Sequence, residues 1–103
     1  MFGPVRGEAA APRAFALSSA WPNPMKNNMR VDFAVAREAK VRLSLVDVTG
    51  REVTVLADGV YQPGKYQVAW DGRTARGGVP AGVYFLMFTT PTEKFTKRVT
   101  VTN

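Results

Sequence analysis

Residues 66–86 read YQVAWDGRTARGGVPAGVYFL, and this stretch decides the fold. Two strand-like runs flank a glycine-rich loop. In the first, residues 65–70, the two-residue period of an extended chain puts Tyr66, Val68 and Trp70 on one face. The second, residues 83–88 (VYFLMF), is apolar on both faces, as a strand with neighbours on either side requires. Between them Asp71 is placed to tie down a turn. Gly72, Gly77, Gly78 and Gly82 admit backbone conformations that a side chain would forbid. Trp70, Asp71, Gly72, Gly82 and Tyr84 therefore read as structural residues, with Trp70 filling the core. No strand leads into a helix here, so these glycines do not form a phosphate-binding loop.

Outward from this corner the alternation is β throughout. A short strand is expected at 14–18, with Phe15 and Leu17 on one face. The next, at 29–36, turns Val31, Phe33 and Val35 inward against Arg30 and Asp32. A strand at 41–48 alternates through Val41, Leu43 and Leu45, then shifts parity at Val46 and Val48 as a bulge would. Thr49-Gly50 is a tight turn into a strand at 52–56, and Pro63-Gly64 turns the chain into 65–70. The last strand, Lys94–Val101, turns Phe95, Val99 and Val101 inward. Seven strands with a turn signal about every 8–12 residues describe a two-sheet sandwich. The seven residues 34–40 (AVAREAK) are too few for a lone helix and read as an exposed hairpin tip.

The chain has 103 residues, a one-domain length, and is 46% hydrophobic and 21% charged. Residues 1–13, rich in Gly, Pro and Ala, read as a flexible or docking arm, and residues 14–103 as the domain. The arm lacks the apolar core of a signal peptide, so an extracellular role implies a piece of a longer precursor. No apolar run approaches a membrane span. With no cysteine and no histidine, disulfides, thiolate chemistry, Cys/His zinc sites and Ser-His or Cys-His pairs are excluded. No enzyme, cofactor or metal role is expected. The formal charge is +6, but the basic residues are scattered. The tightest groups are Arg73/Arg76 and Lys94/Lys97/Arg98, and neither resembles a nucleic-acid motif.

Other motifs favour structure over chemistry. In Trp21-Pro22-Asn23-Pro24 the prolines fix the path of a corner between sheets, with Trp21 expected to cap the core edge. Asp47 is placed to accept backbone N–H bonds across the turn at Gly50, with Arg51 as a further partner, and no second acid is at hand for catalysis. Asp71-Gly72 lacks the repeated aspartates and closing glutamate of a calcium loop. Lys40 and Lys97 are potential isopeptide donors, but no spacing identifies an acceptor.

The order Trp-Pro-Asn-Pro-Met at 21–25, Val-Asp-Val-Thr-Gly-Arg-Glu-Val at 46–53, Pro-Gly-Lys-Tyr-Gln-Val-Ala-Trp-Asp-Gly-Arg at 63–73, Ala-Gly-Val-Tyr-Phe at 81–85 and Lys-Arg-Val-Thr-Val at 97–101 resembles one family of domains. It is similar to the Ig-like domain of the flagellar hook-capping protein and to the C-terminal sorting domains of type IX secretion. The resemblance covers residues 15–101. It implies an all-β, seven-stranded immunoglobulin-like antiparallel sandwich without catalytic residues, at the cell surface or outside the cell. As a sorting and anchoring module the chain would meet the secretion machinery. As a structural subunit of an extracellular filament it would contact identical subunits through its arm or a sheet edge. Candidate contact residues are Phe2 and Val5 in the arm and Lys94, Lys97, Arg98, Val99 and Val101 on the last strand.

Overall fold

A computed structural model describes residues 12–102. Every strand in it pairs antiparallel, and no helix occurs among the described residues. The strands are β1 (Ala16–Leu17), β2 (Met29–Val35), β3 (Ala39–Asp47), β4 (Glu52–Tyr61), β5 (Gly64–Trp70), β6 (Arg73–Thr74), β7 (Gly77–Gly78), β8 (Gly82–Thr89) and β9 (Lys94–Val101). One sheet has the order β1-β2-β5 and the other β4-β3-β8-β9; β6 and β7 form a two-stranded ribbon in the glycine-rich loop. That ribbon adds two short strands to the seven expected.

The core lies between the two larger sheets. Phe33 of β2 packs on Phe88 of β8 at 5.1 Å and on Tyr61 of β4 at 5.4 Å between ring centroids. The alternation of β2 is the reason: Met29, Val31, Phe33 and Val35 are buried while Arg30 and Asp32 are exposed. From the opposite sheet Leu43, Leu45, Leu86, Phe88, Val99 and Val101 complete the cluster. Trp70 ends β5 in this core, and its indole N–H donates to the Arg73 carbonyl at 2.9 Å.

Four local expectations need correction. Residues 34–40 do not cap a hairpin: β2 and β3 lie in different sheets, and the residues between them carry the chain across the core, with Arg37 stacked on Phe15 at 5.2 Å. Strand β4 runs to Tyr61 rather than stopping near residue 56. Its second half pairs with the start of β3, from Leu43 opposite Ala57 to Ala39 opposite Tyr61, and Arg42 on β3 holds Glu52 at 2.7 Å and Asp58 at 3.0 Å. Strand β3 does not shift parity: its register with β8 is unbroken from Arg42 to Asp47, and the breaks against β4, between Leu43 and Ser44 and between Leu45 and Val46, come from extra residues of β4, Leu56 and Val53. Trp21 does not cap the core edge; it is 65% exposed, its ring lying under Arg30 at 5.1 Å.

One device occurs twice. The Tyr66 hydroxyl donates to the Gln62 carbonyl and the Tyr84 hydroxyl to the Pro80 carbonyl, both at 2.6 Å. Each tyrosine follows a glycine by two residues, Gly64 and Gly82. The same Gly-x-Tyr unit thus anchors the entry to β5 in one sheet and to β8 in the other.

Candidate interaction surface

Strand β9 is an edge of the four-stranded sheet, and an edge leaves a row of backbone N–H and C=O groups without a strand partner. Residues 21–25 cover part of that row. Pro22 and Pro24 have no N–H to offer, and the Asn23 side chain supplies what the backbone lacks. Its amide donates to the Arg98 carbonyl at 3.2 Å, and its oxygen accepts from the Thr100 N–H at 3.0 Å. Beyond it the Met25 N–H donates to the Thr100 carbonyl, and the Thr102 N–H donates to the Met25 carbonyl, each at 2.8 Å. The Met25 side chain is fully buried. At its other end the corner is bridged to β2, with Trp21 and Arg30 exchanging backbone bonds of 2.8 and 2.7 Å. The corner therefore joins the edge strand of one sheet to the central strand of the other.

The cover ends at Arg98. By the two-residue period the outward N–H and C=O groups of Lys94 and Thr96 point the same way as those of Thr100. Among the candidate contact residues on β9, Val99 and Val101 are buried in the core, so they hold the strand in place and are not surface contacts. Lys94, Lys97 and Arg98 are exposed. Lys97 lies opposite the buried Leu86, on the core-facing side of the edge, whereas Arg98 lies opposite Phe85 on the outer side. Phe2 and Val5 lie outside the described residues.

The remaining motif residues hold turns together. The Asp47 carboxylate accepts from the Thr49 hydroxyl at 2.6 Å and from the backbone N–H groups of Thr49 at 2.9 Å and Arg51 at 3.0 Å. These bonds, led by the Thr49 hydroxyl, hold its pKa below the ordinary carboxylate value. Gly50 in the same turn has φ 86°, which favours glycine. Asp71 accepts from the Arg73 N–H at 3.0 Å, and Gly72 has φ 81° with the Met25 methyl 3.4 Å from where a Cβ would stand. Burial raises the pKa of Tyr84, so its hydroxyl stays a donor. Among the described residues no three acidic, cysteine or histidine side chains gather as a metal site, and no helix is long and apolar enough to cross a membrane.

Sequence reasoning missed the role of the Asn23 side chain and the paired Gly-x-Tyr anchors. The latter were open to detection: Pro63-Gly64-Lys65-Tyr66 and Ala81-Gly82-Val83-Tyr84 repeat one spacing.

The family model described as "Secretion system C-terminal sorting domain" matches residues 19–102. No curated protein matches significantly. Among solved structures, the crystal structure of dimeric latent PorU from Porphyromonas gingivalis is similar, with a TM-score of 0.58 at 16% identity. The match covers 97% of this chain and 10% of the PorU chain, so this chain spans about a tenth of that protein's length and the likeness concerns the fold. The family match carries the sorting half of the resemblance read from the sequence and lends nothing to the hook-capping half. The chain belongs to the family of secretion system C-terminal sorting domains.

Proposed function

We propose that this chain is the export and surface-attachment module of a type IX secreted protein, built as an immunoglobulin-like sandwich and working by being recognised rather than by catalysis. The family match over residues 19–102 carries this reading, because it takes in every strand from β2 to β9. The chemistry of the domain supports it. The Asp47 and Asp71 carboxylates are engaged by turn N–H groups. Glu52 and Asp58 are engaged by Arg42. These four carboxylates are thus committed to turns and to a cross-strand ion pair rather than paired with one another as acid and base. Nothing in the family or the fold favours the filament-subunit reading or self-assembly through the arm.

The test is to fuse the full chain to the C-terminus of a reporter that carries its own inner-membrane export signal. Expressed in a type IX-competent bacterium, the fusion is expected at the surface or in the medium, and the reporter without the domain inside the outer membrane. Retention of the fusion overturns the reading.

A further inference from the structure

The four-stranded sheet has a second apolar surface that the core does not use. On β8 the core side chains are Tyr84, Leu86 and Phe88, so Val83, Phe85 and Met87 point to the other face. Leu43 and Leu45 set β3 the same way, which turns Val46 outward. Val46 is nevertheless only 8% exposed, although it is not a member of the core cluster. On that face it lies opposite Phe85 and forms the buried floor of the strip. Val55 on β4 and Val83 on β8 extend this strip and are 39% and 36% exposed.

The two rims of the strip differ in charge. On the β4 side Arg42 engages both carboxylates, Glu52 and Asp58, and two acids against one guanidinium leave that rim net negative. On the β9 side Arg98 stands opposite Phe85, and Lys94 opposite Thr89, both outward. The ion pairs among the described residues are those of Arg42 and do not include either of these cations. An apolar strip with one positive rim fits an occupant that is apolar on one face and acidic along one side.

We propose that this face docks an acidic, amphipathic segment of a partner protein, seated on Val55, Val83 and Phe85 with its carboxylates against Lys94 and Arg98. The proposal rests on the sorting reading, in which that partner is a component of the export machinery. Lys97 provides the internal control. It is as close in sequence and equally charged, but it lies on the other side of the strand.

The probe is a synthetic strand-forming peptide that alternates glutamate with leucine or valine, titrated into the ¹⁵N-labelled full chain. Amide shifts are expected at Val46, Phe85, Met87 and Arg98. The double substitution Lys94→Glu/Arg98→Glu is expected to weaken binding by about tenfold or more, and Lys97→Glu to leave it within about twofold. The proposal is overturned by shifts absent from this face, or by equal weakening from Lys97→Glu. It is also overturned if phosphatidylglycerol vesicles bind here and the peptide does not, or if sedimentation shows the face taken up by a second copy of the chain. In the reporter fusion, a folded Lys94→Glu/Arg98→Glu variant is expected to lose export while Lys97→Glu retains it. If all three fusions are exported, the face is wrong and the sorting reading stands. If the unmodified fusion is retained, the sorting reading fails and the peptide titration alone decides the face.

Discussion

Asn23 does the work of a short strand with one side chain. Its amide matches the spacing of a backbone donor and acceptor, so it pairs with Arg98 and Thr100 where the flanking prolines cannot. Replacing it with alanine removes two hydrogen bonds, and Asn23→Ala is expected to lower stability by about 1–2 kcal/mol, measured by urea unfolding. Trp70 is the larger anchor, and Trp70→Ala is expected to lose roughly 3–5 kcal/mol through the cavity it leaves; a loss below about 1 kcal/mol would contradict its place in the core. Asp47 gives a pH signature. Its pKa is depressed in the folded state, so the stability it contributes is complete above the ordinary carboxylate pKa. That contribution is lost as pH falls through the folded value. The difference in unfolding free energy between the native chain and Asp47→Asn should therefore shrink on acidification below the ordinary carboxylate range, and a difference that does not change with pH would contradict the turn geometry. The roles of Trp70 and Asp47 were readable from composition and spacing, since an aromatic at a strand end and an aspartate before Thr-Gly each have a local cause. That of Asn23 was not, because its partners lie 75 and 77 residues away in sequence.

Strands fared in proportion to how local their signal is. The clean alternation of β2 and the two-sided apolarity of β8 follow from residues within each strand, and β8 does sit between β3 and β9. The length of β4 depends on its ladder with residues 39–43 of β3, which the residues after 56 do not reveal by themselves. Hairpin and crossover look alike between β2 and β3, because Val35 and Val41 face one core from opposite sheets. The edge of β9 carries an element-level prediction. Amides of Phe95, Lys97 and Val99 point toward β8 and should exchange slowly with solvent hydrogen. Those of Thr96 and Arg98 should exchange fast, and those of Thr100 and Thr102 slowly because the corner covers them. In Asn23→Ala the Thr100 amide should join the fast group while Phe95 stays slow; unchanged protection at Thr100 would mean that the edge is closed by something else.

At the scale of the whole molecule the glycine-rich corner at residues 70–82 is a lock between strands, and the two ends of that lock are the Trp70 indole and the Tyr84 hydroxyl. With the loops committed to structure, what remains for function is surface. The all-β class was legible because alternation and turn residues point one way. The site was legible only as a strand: which side of β9 each cation occupies depends on its register with β8, and Val99 and Val101 are spent on the core. The central claim is that the domain itself carries the information for export. The most direct measurement is the fraction of the full-chain reporter fusion found outside the cell, compared between a type IX-competent strain and an otherwise identical strain whose secretion system is disabled. The account predicts external reporter in the competent strain alone. Reporter retained in both strains, or external in both, would contradict it.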